Sequence, residues 1–284
     1  MRIEIAPEVR LFVDVDGFGL VPDGPRMREK PTLVLLHGGP GYDHSGFKPA
    51  FSRLADVAQV VCYDHRGHGR SSRRPANEWT LDTFADDVVC LCDALGVVKP
   101  IVLGQSFGGF VAQRYLARHA AHPAKVVLSS TSPAMNLSRK LAMFEQLGGA
   151  PARDAALAFW TVPSPATWAP YNQFCRDLYN TTHAANDDAR QRIVFNEDIL
   201  FASASGEQQS MNLLPGLANV QCPVLVLAGA LDPVCPLADS QDIAAAISPP
   251  WGRLVSFANS GHGAWRDEPE AAFACLREFI LAPL

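Results

Sequence analysis

The sequence lacks several features that mark whole classes of protein. No uninterrupted apolar run approaches the roughly 18 residues of a membrane helix, and residues 1–19 contain neither the apolar segment nor the cleavage site of a signal peptide. With 24 basic and 29 acidic residues and a net charge of −5, the chain does not favour nucleic acid as a partner. We therefore expect a cytoplasmic protein that acts on small-molecule or short-peptide substrates and has no nucleic-acid or membrane partner. The sequence does not indicate an oligomeric state.

Paired Cys-x-x-Cys units are also missing, although seven cysteines occur. An odd number of scattered cysteines favours reduced thiols. Cys90 and Cys92 are two residues apart in a helical pattern, so they point to different faces and do not suit metal ligation. His65 and His68 lie on a glycine-containing loop without a set of carboxylate partners. The sequence therefore predicts no metal and no cofactor.

The chain does contain apolar, β-branched runs separated by helical patterns. Such near-continuous runs are typical of strands buried on both faces, as in a parallel sheet covered by helices. They occupy residues 32–38, 57–64, 99–105, 124–131, 222–232 and 253–259. Helices are predicted over 80–96, from Thr80 as N-cap to Gly96, and over 270–284. The opening stretches around "APE" predict an antiparallel hairpin at the sheet edge.

This alternation of strands and helices stops after Thr131. From 132 to 219 the pattern is helical and rich in Ala, Asn, Gln, Pro and aromatic residues. We predict a helical cap over 132–219, inserted into an α/β core formed by 1–131 and 220–284. Such a cap would close over the carboxyl ends of the strands, where ligands bind in open α/β sheets.

The motif "GQSFGG", residues 104–109, follows one predicted strand and precedes a predicted helix. It matches G-x-S-x-G, in which glycines permit a sharp turn that exposes the serine oxygen above the sheet. The N-terminus of the following helix also favours negative charge nearby. Ser106 is therefore the predicted nucleophile, the alternative being a simple glycine turn.

A serine hydroxyl needs a base and an orienting acid, which in this motif follow in the order Ser, Asp or Glu, His. Asp232 stands at the end of the run 222–232, and His262 follows the run 253–259. We expect His262 to take the Ser106 proton and Asp232 to fix the imidazole tautomer. A lone loop Asp or His is more often a surface residue, so the prediction depends on all three strand ends together.

The stretch "LLHGGPGYDHSG", residues 35–46, supplies a glycine loop for the same site. We predict an oxyanion hole from the backbone N–H groups of Gly39 and Phe107, with the Phe107 ring as an apolar wall. His37 is expected to brace the loop rather than act as a base. Asp64 and Arg66, in "YDHRGHGRS", are expected to order their own loop by local hydrogen bonds.

The order of Ser106, Asp232 and His262, the serine turn and the strand rhythm resemble the α/β-hydrolase superfamily. The motifs "HGGPG", "YDHRGHGRS", "GQSFGG" and "DPVCP" are similar to those of the prolyl iminopeptidases, serine peptidases that remove an N-terminal proline. The resemblance implies that family's triad and oxyanion hole at the residues named above. The chain departs from the family pattern at Phe107, where Trp is usual, and in "YDHRG", where the family has "YDQRG".

Prolyl iminopeptidases hold the substrate's amino group with acidic residues of the cap. By this resemblance the substrate-binding candidates are Glu197, Asp198 and Glu207, with the aromatic Trp160; the alternative for each acid is a solvated helix face. We therefore expect a serine hydrolase acting by acyl transfer, as an iminopeptidase-like aminopeptidase on small peptides. A carboxylesterase or lactonase on small apolar esters is the alternative, and a ligand receptor on a hydrolase scaffold is the alternative of another class.

Overall fold

A computed structural model describes residues 1–182 and 187–283. The strands of this part of the chain are β1 (Arg2–Ala6), β2 (Val9–Asp16), β3 (Leu20–Asp23), β4 (Arg26–Glu29), β5 (Thr32–Leu36), β6 (Gln59–Tyr63), β7 (Ile101–Gln105), β8 (Lys125–Ser129), β9 (Val224–Gly229) and β10 (Gly252–Phe257). Each predicted apolar run overlaps one of these strands, and β10 begins one residue before its run.

The α-helices of the described residues are α1 (Leu81–Leu95), α2 (Phe107–Arg118), α3 (Leu137–Thr161), α4 (Pro165–Cys175), α5 (Asp187–Arg192), α6 (Glu197–Ser205), α7 (Glu207–Ser210), α8 (Leu214–Leu217), α9 (Leu237–Ala246), α10 (Ala264–Asp267) and α11 (Pro269–Leu281). Short 3-10 helices occupy His44–Phe47, Ala50–Leu54, Ala76–Glu78 and Arg176–Leu178.

Helix α1 begins and ends where the sequence predicts. The Thr80 hydroxyl accepts a hydrogen bond from the Thr83 N–H, which satisfies a donor that the first helical turn leaves open. Gly96 ends the helix with φ 67°, the left-handed conformation that glycine adopts without steric cost.

An eight-stranded sheet within the described residues has the order β1-β2-β6-β5-β7-β8-β9-β10. The strands from β6 to β10 pair in parallel, whereas β1 and β2 form an antiparallel hairpin that joins the edge at β6. This arrangement confirms the predicted α/β fold and the edge hairpin. The edge strand β10 is only partly buried, so its residues are not covered on both faces as its apolar run predicted.

Helices cover both faces of the sheet, as parallel strands require. One buried cluster packs α1, α2 and α9 against one face, and a second packs α11 and the 3-10 helices near Phe47 and Phe51 against the other. All seven cysteines are unpaired. Among the described residues, no helix has the length and apolar character needed to cross a membrane.

The chain order places two loops side by side. Strand β5 lies between β6, which follows it in the chain, and β7 on the other side. The connections after β5 and β7 therefore diverge, and ligands bind at such a switch point in open α/β sheets. The glycine loop after β5 and the serine turn after β7 meet there.

The segment between β8 and β9 forms helices α3 to α8 in its described part. Helix α3 contains a break at Gly149, where φ is 69° and ψ is −168°. A third buried cluster joins Phe144, Phe159 and Tyr171 of these helices to Val234 after β9. The assignment of 132–219 as a separate cap stays a prediction, but its helices do pack against the loop that carries Asp232.

Candidate active site

Ser106 joins β7 to α2 in a strained backbone conformation. Its φ of 56° and ψ of −117° lie where residues other than glycine are uncommon. A Cβ atom at Gly104 would lie 2.3 Å from the Gly108 carbonyl oxygen, and one at Gly108 would lie 2.1 Å from the Leu36 oxygen. The turn therefore needs both glycines of the motif. The buried Ser106 lines a cleft between the core and the helices that follow β8.

Asp232 and His262 form a hydrogen-bonded pair after β9 and β10. His262 Nδ1 lies 2.8 Å from Asp232 Oδ2. Oδ1 of this fully buried carboxylate accepts the N–H groups of Val234 and Cys235, each at 2.8 Å. With the aspartate ionised, Nδ1 is the donor, which leaves Nε2 of a neutral imidazole free to accept a proton. The backbone N–H of His262 also donates to the Tyr179 carbonyl oxygen at 2.5 Å.

Both Ser106 and His262 line the cleft. Within residues 1–182 and 187–283, no hydrogen bond joins the two side chains. Such bonds are often long without substrate and tighten in the complex. The structure thus brings the predicted serine and base to one cleft, and the predicted acid contacts the base from the buried side.

The two predicted oxyanion donors lie on adjoining loops. A Cβ at Gly38 would be 3.3 Å from both the Gln105 oxygen and the Ser106 Cβ, so the glycine loop lies against the serine turn. Phe107 is the first residue of α2, where N–H groups have no acceptor inside the helix. In the described part of the chain, neither the Gly39 nor the Phe107 N–H donates to a protein acceptor. Both groups are therefore free to bind a reacting oxygen.

The Phe107 ring does not line the cleft, which corrects the expectation that it forms a wall there. Its ring packs in the core, with its centroid 5.9 Å from that of His65 and 5.7 Å from that of Phe84. The reason is the direction of the first turn of α2, which points the ring to the side where α1 covers the sheet. The backbone N–H of Phe107 thus lies at the serine turn, whereas its side chain lies in the core.

His37 has both ring nitrogens engaged. Its Nδ1 donates to the Gly38 oxygen at 2.8 Å, and its Nε2 accepts the His65 N–H at 3.1 Å. Burial lowers the pKa of His37, and it lowers the pKa of His68 to about 3, so both rings are neutral at pH 7. This geometry suits bracing of the glycine loop. No group of three or more metal-ligating side chains occurs in the residues that the structure describes.

Asp64 and Arg66 order the loop after β6. Asp64 Oδ1 accepts the His44 N–H at 3.0 Å, and Oδ2 accepts the Arg70 N–H at 2.7 Å. Arg66 forms a bidentate ion pair with the buried Asp87, from Nη2 to Oδ1 at 2.5 Å and from Nε to Oδ2 at 3.0 Å. Neither Asp64 nor Arg66 lines the cleft.

The cleft above Ser106 has a volume of about 170 Å³, and seven of its lining residues are Phe, Tyr or Trp. Trp160 is among its lining residues, as predicted for this side chain. The other aromatic residues around it are Tyr42, Phe47, Phe159, Trp168, Tyr179 and Trp265. Several of them belong to helices between β8 and β9, so this segment forms much of the wall that faces the substrate.

The three predicted acidic residues lie outside the cleft, contrary to the expectation that they bind substrate there. Glu197 and Asp198 occupy the exposed first turn of α6, where a negative charge suits the helix dipole. Glu207 Oε2 accepts the Leu81 N–H at 2.8 Å, so it caps α1. Each of these acids therefore has a structural role or a solvated surface position.

Within the described ranges, the acidic and cationic residues that line the cleft are Asp43 and three arginines, Arg176, Arg190 and Arg266. Asp43 is buried, and its Oδ2 accepts Arg70 Nη1 at 2.6 Å. The sequence analysis did not anticipate these arginines. The cleft is thus positively charged where a pocket for an amino group would be negative.

A family model described as the alpha/beta hydrolase fold matches residues 31–269. The chain belongs to the α/β-hydrolase family. This family is one of hydrolytic enzymes, and the match confirms the superfamily resemblance noted from the motifs.

The individual relatives are named for different hydrolytic activities. The proline iminopeptidase PfmaB of Pestalotiopsis fici is 28% identical over 261 residues, covering 87% of this chain and 92% of its own. The 3-oxoadipate enol-lactonase 2 of Acinetobacter baylyi is 25% identical, over 75% of this chain and 76% of its own. The crystal structure of a Mycobacterium smegmatis proline iminopeptidase superposes with a TM-score of 0.81 at 24% identity, covering 99% of this chain and 97% of that one.

Proposed function

We propose that the protein is a serine hydrolase that cleaves a small carboxylic ester or lactone by acyl transfer. In this proposal Ser106 is the nucleophile, His262 the base, Asp232 the orienting acid, and the N–H groups of Gly39 and Phe107 the oxyanion hole. The observation that carries it is the strained Ser106 turn at one cleft with His262, whose imidazole is fixed by a buried carboxylate at 2.8 Å.

The steps follow from the arrangement of these groups. Ser106 Oγ attacks the substrate carbonyl while its proton passes to His262 Nε2, and the two N–H groups stabilise the oxyanion. Collapse breaks the bond to the leaving oxygen, which takes the proton from His262. A water molecule then gives a proton to His262 and attacks the acyl-serine ester. Collapse of this second intermediate breaks the bond to Ser106 Oγ, which takes the proton back from His262, and the acid is released.

The charges in the cleft favour an ester or lactone over a peptide with a free amino terminus. A buried ammonium group needs an acceptor, best a carboxylate. Asp43, the acid found at the cleft, already accepts hydrogen bonds from Arg70 and from the Val194 N–H at 3.0 Å. An uncharged ester has no such requirement.

An iminopeptidase-like aminopeptidase remains the second candidate function. The similarity to proline iminopeptidases and the aromatic cleft walls support it, because a proline ring packs well on aromatic faces. We also propose that 132–219 acts as a cap on the core formed by 1–131 and 220–284, since its helices contribute Trp160, Trp168 and Arg176 to the cleft.

A comparison of three substrates separates the two functions. The wild-type enzyme is assayed with proline 4-nitroanilide, with its N-acetyl derivative and with 4-nitrophenyl acetate. We expect the ester to give the highest kcat/KM and the two anilides to differ by less than threefold. A kcat/KM for the free-amine anilide above that for the ester, and far above that for the acetylated form, would instead establish the aminopeptidase. In either case Ser106→Ala abolishes the activity.

A further inference from the structure

Two arginines of the cleft lie close to the groups that perform the chemistry. Arg176, in the 3-10 helix Arg176–Leu178, donates from Nη1 to the Tyr42 hydroxyl at 2.5 Å. Its guanidinium carbon is 5.4 Å from the centroid of the Tyr42 ring and 5.9 Å from that of Tyr179. Tyr42 follows the glycine loop, and the Tyr179 ring lies 5.5 Å from that of His262. Arg176 therefore lies between the oxyanion loop and the base.

Arg266 reaches the same region from the other side. It stands four residues after His262, and its guanidinium carbon lies 4.1 Å from the centroid of the Trp265 ring. A Cβ atom at Gly263 would be 3.6 Å from its Cδ and Nε, and one at Gly46 would be 3.4 Å from its Nη2. The guanidinium thus spans from the His262 loop to the 3-10 helix that follows the glycine loop.

Neither guanidinium is neutralised by the described part of the chain. Over residues 1–182 and 188–283, no carboxylate lies within ion-pair distance of Arg176 or Arg266. Asp267 is next to Arg266 in sequence, but its Oδ2 accepts the Gly261 N–H at 2.8 Å and its Oδ1 accepts the Thr182 hydroxyl at 2.6 Å.

The energetic state of Arg266 agrees with this geometry. Burial lowers its pKa to about 10, with further lowering by repulsion from Arg176 and Arg190. The side chain remains cationic at neutral pH. Attraction by the neighbouring Asp267 offsets only part of this lowering. A partly buried cation with so little counter-charge destabilises a fold, and neighbouring guanidinium groups add repulsion. An anionic ligand in the cleft would remove both costs.

We propose that Arg176 and Arg266 together bind a carboxylate carried by the substrate, close to its scissile carbonyl. The preferred substrate is then an ester or lactone with a free acid group, such as a half ester of a dicarboxylic acid. This inference rests on the proposed serine-hydrolase function and names the substrate class of that site.

The test uses pairs of substrates that differ only in charge. Mono-4-nitrophenyl esters of succinic, glutaric and adipic acids are compared with their methyl esters, which carry the same chain without the charge. We expect the wild type to show at least a tenfold higher kcat/KM for the acid at one or more chain lengths. Arg266→Met and Arg176→Met should each lower this ratio by about 10-fold or more, mainly through KM, because a hydrogen bond to a charged group is lost.

Three further variants separate ligand binding from structure. Arg266→Lys and Arg176→Lys keep a positive charge and should retain part of the preference. Arg153→Met removes an exposed arginine that pairs with Glu145 on α3, and it should leave the ratio unchanged. Thermal unfolding is measured for every variant.

The outcomes also distinguish this inference from the proposed function. A wild-type ratio near one at every chain length would refute it, as would equal losses for acid and methyl ester in the Met variants, which indicate a purely structural role. Wild-type protein that hydrolyses neither ester and does not react with a fluorophosphonate would refute the serine-hydrolase function, and with it the inference. Turnover of the methyl esters without any arginine effect would refute the inference alone.

Discussion

Asp232→Asn tests how the acid supports the base. The asparagine is nearly isosteric, and its amide oxygen can still accept the N–H groups of Val234 and Cys235, so we expect the fold to persist. Its NH2 group would face His262 Nδ1, which must then accept. The imidazole proton moves to Nε2, the atom that should take the proton of Ser106.

The size of the effect follows from the geometry. At 2.8 Å and an effective dielectric constant of about 20, a carboxylate attracts an imidazolium by about 6 kcal/mol. If most of this attraction develops in the transition state, its loss corresponds to a decrease of about 10⁴-fold in kcat. The assay is the steady-state hydrolysis of 4-nitrophenyl acetate, with urea unfolding to show that the variant is folded.

Asp239→Asn is the matched control. Asp239 is also fully buried, but it pairs with Arg139 at 2.7 Å rather than with His262. We expect this variant to lose stability while its kcat stays within threefold of the wild type. A folded Asp232→Asn variant whose kcat remains within tenfold of the wild type would refute the assigned role of Asp232.

Three other substitutions, the first with a matched glycine control, test separate features of the structure. Gly108→Ala places a Cβ 2.1 Å from the Leu36 oxygen, so we expect a loss of about 3 kcal/mol or more in the free energy of unfolding and loss of activity. The control is Gly96→Ala, where φ is 67° and the space around the new Cβ is open. It should lower the free energy of unfolding by about 1 kcal/mol and keep activity. For His68, burial lowers the folded-state pKa to about 3 from 6.5, so the unfolded chain binds more protons and stability falls as the pH drops through 6.5. His68→Asn should therefore remove about 1 kcal/mol of the loss between pH 7.5 and 5.5, measured by urea unfolding. Glu207→Gln should lower stability by about 1 kcal/mol by weakening the cap of α1 and leave KM for proline 4-nitroanilide unchanged.

Each of these expectations has a clear counter-result. Equal stability of the two glycine variants would show that the approach of α2 to β5 is not tight. An unchanged pH dependence in His68→Asn would show that His68 does not stay neutral in the fold. A higher KM for the free-amine substrate in Glu207→Gln, with stability unchanged, would restore Glu207 to substrate recognition.

The positions of Ser106, Asp232 and His262 could be predicted from the sequence because each depends on a local sequence pattern. Every one follows an apolar run long enough to form a buried strand, and the carboxyl ends of parallel strands meet at one edge of a sheet. The glycines around Ser106 carry further information, since only a tight turn requires them. The strand limits also follow from the runs.

The walls of the cleft could not be read in the same way, because they depend on contacts between distant segments. Arg176 meets Tyr42 across 134 positions, and Glu207 meets Leu81 across 126. No periodicity encodes such pairs. The family resemblance suggested acidic residues of 132–219 as ligands of the substrate's amino group. In the structure Glu207 instead accepts an N–H at the start of α1, and arginines line the cleft. Only Arg266 had a local indication, four residues after His262 at the start of a helix.

The proposed function requires Ser106 to be a nucleophile activated by His262 and Asp232. The most direct measurement is the intact mass of the protein after reaction with a fluorophosphonate, followed by peptide mapping. We expect one adduct per chain, located on Ser106, with no adduct in Ser106→Ala and much slower labelling in His262→Ala. Absence of labelling in folded wild-type protein, or an adduct on another residue, would contradict it.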